Sequence, residues 1–140
     1  MKCEAYKFLT DESREIRTKV FVEEQGFENE FDCIDSEAVH ILMKTDGGIP
    51  VATCRVFWSD ERNSYILGRL AVLKEYRGRG TGSEVVREAL DYVKSAGGKT
   101  LMLHSQCRAK SFYENLGFTA FGEVELDEGC PHIWMKKGVV

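Results

Sequence analysis

Three glycines at alternate positions, Gly78, Gly80 and Gly82, follow the apolar run Leu70-Ala71-Val72-Leu73 and are interleaved with Arg77, Arg79, Thr81 and Ser83. Glycine enters the left-handed region freely and leaves its backbone N–H uncovered, so such a loop can wrap an anion. A helical pattern begins directly behind it, and a helix start adds unpaired amides and partial positive charge. Arg77 and Arg79 are placed to add charge-assisted contacts. The chemistry in prospect is phosphate binding at a strand-loop-helix junction.

The spacing restricts which phosphate ligand fits. A dinucleotide fingerprint is G-x-G-x-x-G, whereas here the third glycine comes one residue early and Ser83 stands where it belongs; no acid follows at the end of a second parallel strand to hold a ribose. A Walker loop requires G-x-x-x-x-G-K-[ST], which is absent. A generic nucleotide-phosphate binder remains open on the glycines alone. Cys107 follows His104 by three residues, but no third group orients a thiol nucleophile. Cys130-Pro131-His132 has no partners at ligand spacing, so no metal site is expected.

The elements around the loop follow from hydrophobic period. Glu4 to Leu9 reads as a strand, and Thr10 as the N-cap of a helix over Asp11 to Gln25 that Gly26 stops. From Glu23 to Glu37 the chain carries seven acids and no Lys or Arg, a solvated face or a negative lip for a cationic amine. Ala38 to Thr45 and Val51 to Trp58 form a hairpin around Asp46-Gly47-Gly48. Tyr65 to Leu73 is the strand entering the glycine loop. Val86, Leu90 and Val93 mark a helix over Ser83 to Ala96, with Gly97-Gly98 ending it. Thr100 to His104 is then a strand parallel to Arg69–Leu73 by a right-handed crossover. A helix from Arg108 to Leu116 and strands Phe118 to Val124 and His132 to Lys136 complete a mixed α/β sheet with one parallel switch.

The chain has 140 residues, 43% hydrophobic and 30% charged, which suits one ordered domain over residues 1–140. A globule of this size buries roughly two-thirds of its unfolded surface and needs neither disulfides nor metal. The five cysteines are scattered and never form C-x-x-C, and the N-terminus lacks an apolar leader, so a reduced, cytoplasmic protein with free thiols is expected. No apolar run is long enough to span a membrane. A net charge of −4 disfavours nucleic acid as a partner.

Arg77-Gly78-Arg79-Gly80-Thr81-Gly82 has the form R-x-x-G-x-G, and here the sequence resembles the GNAT superfamily of acyl-CoA-dependent N-acyltransferases. Downstream, Gln106-x-x-Ala109-x-x-Phe112-Tyr113-Glu114-x-Leu116-Gly117-Phe118 is similar to that family's second CoA-contacting segment. Val20-Phe21-Val22-Glu23-Glu24-Gln25-Gly26 and Gly129-Cys130-Pro131-His132-Ile133 resemble a small bacterial subgroup. The resemblance implies a mixed, mostly antiparallel sheet of six to seven strands with a parallel switch at the CoA site and about four helices. It implies transfer of an acetyl group from acetyl-CoA to a primary amine by direct attack, with a non-catalytic CoA-binding or sensor domain as the alternative.

The resemblance also implies site roles. Leu70, Ala71 and Val72 are expected to part from the parallel neighbour and pair with the pantetheine arm, an amide of Leu70 or Val72 polarising the thioester carbonyl. Arg77, Gly78, Arg79, Gly80, Thr81, Gly82 and Ser83 hold the pyrophosphate; Gln106, which stands where the family often has asparagine, and Phe112 contact the rest of CoA. Tyr113 is the expected acid for the leaving thiolate. A base must also take a proton from the ammonium. Glu23, Glu24, His40, His104 and His132 are candidates, Glu24 and His132 leading. The acceptor is a small-molecule or peptide amine, and a homodimer by edge pairing or late-strand exchange is compatible with the pattern.

Overall fold

The computed structural model describes residues 1–28 and 30–139. Seven strands form one sheet in the order β1-β2-β3-β4-β5-β7-β6: β1 Lys2–Tyr6, β2 Val39–Lys44, β3 Pro50–Ser59, β4 Ser64–Val72, β5 Thr100–Gln106, β6 Thr119–Asp127 and β7 Cys130–Gly138. Three α-helices accompany them, α1 Asp11–Arg17, α2 Thr81–Ser95 and α3 Lys110–Asn115, with a π-helix at Thr18–Glu24 and short 3₁₀ turns. The mixed α/β sheet with a parallel pair is therefore present. By contact density the chain divides into two compact units, Met1–Phe57 with Gly68–Ala89, and Trp58–Leu67 with the chain from Leu90 onward.

In the first unit, β1 pairs antiparallel with β2 and β2 with β3. Thr10 caps α1, its hydroxyl oxygen accepting from the Ser13 amide at 3.0 Å. The single helix expected over Asp11 to Gln25 changes character after Arg17, winding wider as the π-helix. Gly26, at φ +76°, ends it, its amide donating to Val22 O. Ile16, Val20, Phe21, Leu42 and Ala71 form the core beneath, flanked by Tyr6, Phe27 and Leu73.

In the second unit, β4 pairs parallel with β5 through Tyr65–Leu67 against Leu101–Leu103. The parallel partner of β5 is thus the upstream half of the strand and not Arg69–Leu73 as the pattern suggested. β7 lies between β5 and β6, antiparallel to both. The last hairpin turns through Glu128 and Gly129, both at positive φ, as a two-residue turn between twisted strands requires. β6 is longer than its apolar pattern predicted, since a register shift at Phe121/Glu125 with Gly122 at φ +76° carries it past Val124. Gly98 is needed for space, because a Cβ there would meet Val93 and the Tyr65 ring within 3 Å.

Candidate active site

The glycine loop lies in the first unit. Gly78 and Gly80 have φ of +75° and +79°, and a Cβ at either would meet nothing within 4 Å, so the left-handed backbone and not crowding selects glycine. Gly82 does different work. α2 starts at Thr81, two residues before the apolar period indicates, because the Glu84 amide already donates to Gly80 O at 3.1 Å. The amides of Thr81, Gly82 and Ser83 therefore belong to the first helical turn, where no intrahelical acceptor exists. The donor chemistry suits a phosphate: left-handed glycines open the loop and first-turn amides end it.

The two loop arginines differ. Arg79 is exposed, its guanidinium carbon 5.4 Å from the centre of the Tyr76 ring. Arg77 is engaged twice: Nε donates to Val72 O at 2.9 Å, and the two terminal nitrogens donate to the two Glu24 carboxylate oxygens at 2.7 and 2.8 Å. Two residues named separately from sequence, one for phosphate and one as base, are thus each other's partner. Together they tie the last residue of the π-helix to the end of β4 and the start of the loop.

Upstream, β4 carries a feature that sequence reasoning missed. Arg69 has φ +53°, whereas the other non-glycine positive-φ residues among those described, Asn63 and Glu128, sit in turns. A left-handed L-residue inside a strand costs about 1–2 kcal/mol. Beyond the Leu67–Leu103 pair β4 continues through this residue to Leu70, Ala71 and Val72. Ala71 is buried, while Leu70 and Val72 are half-buried.

The Arg69 side chain reaches into the stretch that reads as an acidic lip, and that stretch is largely neutralised. Arg69 Nε donates to Glu30 O at 3.0 Å and lies 3.2 Å from Glu30 Oε1; its Nη2 is 3.4 Å from Asp32 Oδ2. Asp32 takes bonds from Arg55 at 2.7 and 3.2 Å, Arg55 bonds Asp35 at 2.9 Å, Asp35 takes two from Arg17, and Arg17 Nε donates to Glu30 at 2.7 Å. The result is a closed ring of three arginines alternating with three carboxylates. Arg17 and Glu30 are only 1% and 4% exposed, so the ring is interior at that end, while Asp32 and Arg69 carry it toward the surface. Burial pushes the Asp35 carboxyl up, but the Arg17 and Arg55 guanidinium groups outweigh it and hold Asp35 down at about 2. Burial pushes Glu30 up against the pull of Arg17 and Arg69. His40 serves the same ring: its buried Nε2–H donates to Asp35 O at 2.9 Å. Glu23, Glu28 and Glu37 remain exposed.

A signal for the ring existed in the sequence. Arg17 interrupts the buried stripe of α1, and Arg55 stands in the middle of an otherwise uncharged strand, Val51 to Trp58. Buried arginines need carboxylates, and the run of acids between Glu23 and Glu37 supplies them.

The remaining residues lie in the second unit. Gln106 ends β5 opposite His132 of β7 and accepts from Arg108 Nε at 2.7 Å. Tyr113 is buried on α3, its ring packed edge-on against Phe112 and Phe118 at 5.0 and 5.8 Å between centres. His132 is 7% exposed, and its Nδ1 lies 2.8 Å from Cys130 O. A carbonyl only accepts, so Nδ1 carries the hydrogen and the neutral ring keeps its lone pair on Nε2. His104 stacks between His132 and Trp134, at 4.9 and 4.8 Å, with Nε2 3.3 Å from Glu125 Oε1; burial, then His132, lowers its pKa. Among the described residues no group of three or more His, Cys, Asp or Glu is arranged to hold a metal, and no helix is long and apolar enough to cross a membrane. All five cysteines are free thiols.

Comparison with known proteins bears on both halves. Residues 8–139 match the family described as Acetyltransferase (GNAT) domain. A Bacillus subtilis protein provisionally named an acetyltransferase is 38% identical over 128 residues, covering 88% of this chain and 85% of the relative. A crystal structure from Lactobacillus plantarum, provisionally assigned as an N-acetyltransferase, superposes with a TM-score of 0.90 at 24% identity, covering 99% of this chain and 98% of that one. An aminoglycoside 6'-N-acetyltransferase complexed with coenzyme A superposes at 0.79 with 17% identity, covering 100% and 98%. At these identities the two structures establish the fold.

Proposed function

Since the chain belongs to the GNAT acetyltransferase family, we propose that it transfers an acetyl group from acetyl-CoA to a primary amine by direct attack. The observation that carries the reading is the strand-loop-helix junction, where left-handed Gly78 and Gly80 open onto the unpaired first-turn amides of α2. That junction is proposed to take the pyrophosphate through the amides from Gly78 to Ser83, with Arg79 as a charged partner and Arg77 fixing the loop to Val72 and Glu24. The fold shared with a protein complexed with coenzyme A supports the same donor. Leu70, Ala71 and Val72 are proposed to pair with the pantetheine arm, aided by Gln106 and Phe112.

In the proposed reaction an amide of Leu70 or Val72 hydrogen-bonds the thioester oxygen as charge develops on it. The amine nitrogen forms the new C–N bond and the C–S bond breaks. The base accepts the proton the ammonium loses before attack; Tyr113 gives its phenolic proton to the departing thiolate and is restored by the second proton, which leaves the newly bonded nitrogen. Of the two leading candidates the base is proposed to be His132. The lone pair on its Nε2 supports this, whereas both Glu24 oxygens already accept from Arg77.

The test is thiol release from acetyl-CoA over a panel of polyamines, amino sugars, amino acids and peptides. Release above hydrolysis with one class of amine is expected. Tight CoA binding with no amine-dependent release from any member would leave a CoA-binding domain without transfer. With the amine in hand, Tyr113→Phe should lower kcat by about 10²-fold, and an unchanged kcat removes Tyr113 as the acid.

A further inference from the structure

We infer that the ionic ring Arg17–Glu30–Arg69–Asp32–Arg55–Asp35 is a positioning device for the reaction: it clamps the left-handed Arg69 and so aims the Leu70 and Val72 amides. The inference rests on the function proposed above and assigns these six residues to holding the backbone that meets the thioester.

Each step is local to β4 and what packs on it. A strained non-glycine conformation persists only where its surroundings over-determine it. At Arg69 they do, because the side chain is held by the Glu30 carbonyl and carboxylate and by the Asp32 carboxylate at once. Those partners are themselves fixed. Glu30 is locked by Arg17, through the carboxylate at 2.7 Å and the carbonyl at 2.9 Å. Asp32 and Asp35 form a reciprocal cap, in which Asp32 Oδ1 accepts from the Ile34 amide and Asp35 Oδ2 from the Asp32 amide. Arg55 lies alongside Gly68, where an added Cβ would stand in ordinary contact with it, 3.4 Å from Nε. The left-handed residue is therefore held through its own side chain.

Stability alone is a poor reason for such a ring, since buried ion pairs are often replaceable by apolar residues without loss. What an apolar cluster cannot do is fix one strand residue through directional bonds. The ring closes on the one described strand residue outside glycine that needs fixing, and that residue directly precedes Leu70. Arg69 is thus a positioning residue that touches neither donor nor acceptor.

The experiment compares Arg69→Ala, Arg69→Lys and Asp32→Asn with wild type by steady-state kinetics and by NMR order parameters of the Leu70 and Val72 amides, each variant checked for folding by its melting curve. Arg69→Ala is expected to lower kcat at least tenfold with KM for acetyl-CoA within about twofold, and to drop both order parameters from the rigid range near 0.85 toward 0.6. Asp32→Asn opens the ring while keeping its shape and should shift both readouts the same way by less; Arg69→Lys should recover part of each. Wild-type kcat and rigid amides in folded Arg69→Ala overturn the inference, as does a loss of kcat with unchanged order parameters. If wild type releases no thiol with any amine, the proposed function fails, and the order parameters alone then decide: rigid amides in Arg69→Ala overturn the clamp, and mobile ones uphold it.

Discussion

Two arginine–carboxylate contacts in this molecule are nearly identical in geometry and opposite in consequence. Arg77 meets Glu24 with its nearest pair at 2.7 Å, and Arg17 meets Glu30 at 2.7 Å. The first pair has both side chains 39% exposed, the second 1% and 3%. Near the surface, water screens the charges and offers each partner an alternative, so the pair is worth little and exchanges freely. In the interior neither charge has an alternative, so the pair fixes where its neighbours sit. Distance alone does not tell a tether from a clamp. Burial does: the exposed pair ties the end of β4 at Val72, and the buried pair fixes Glu30, which in turn bonds Arg69.

The widest gap between the two should appear on truncation. Arg17→Ala leaves Glu30 and Asp35 buried without their main partner and should destabilise the fold by about 3–5 kcal/mol, read as a shift in the denaturant midpoint at constant slope. A loss below about 1 kcal/mol would place the ring in the same class as the surface pair. Some of the truncation loss is the bulk of the side chain, so Arg17→Met, which keeps most of the volume, separates packing from charge.

Acid should weaken the clamp next. Asp35 in the folded chain is held at about 2, below its ordinary 3.8, because Arg17 and Arg55 favour its ionised form over the opposing burial. Its folded pKa is depressed, so the stability it contributes is fully present above pH 4 and is lost as pH falls through about 2. The loss should reach roughly 2 kcal/mol. Melting curves of wild type and Asp35→Asn between pH 6 and pH 2 check this: the variant starts lower and its stability falls less over that interval. Parallel curves would mean that Asp35 is not the group responsible.

How these features were legible follows from their physics. The loop could be read because glycine's conformational freedom is a property of the residue itself, and the helices and strands because apolar period is local. The left-handed backbone at Arg69 could not, since nothing in Gly68-Arg69-Leu70 demands φ +53°; the side chain's partners, Glu30 and Asp32, are remote in sequence. For the same reason the acids from Glu23 to Glu37 read as a lip for a cationic ligand, when four of them, Glu24, Glu30, Asp32 and Asp35, meet arginines of this chain. The change from α to π winding after Arg17 is equally non-local, and the sequence carries no breaker there. Gln106 and Tyr113 are named by motif resemblance and His132 only as one of several candidate bases, and neither signal carries their surroundings. His132's tautomer depends on the Cys130 carbonyl two residues away, a contact that only the strand geometry supplies.

The smallest effect should come from the exposed pair, and it bears on the base. Glu24→Gln keeps the shape and one acceptor oxygen for Arg77, so stability should change by less than about 1 kcal/mol, and less still at high salt. If His132 is the base, kcat with the identified amine should stay within about twofold, while His132→Gln should lose at least 10²-fold. A 10²-fold loss in folded Glu24→Gln would return the proton to Glu24 and make its bond to Arg77 a resting contact that the reaction must break. A tether that also served as the base would have to release its partner in every turnover, and a weak, screened pair is the kind that can.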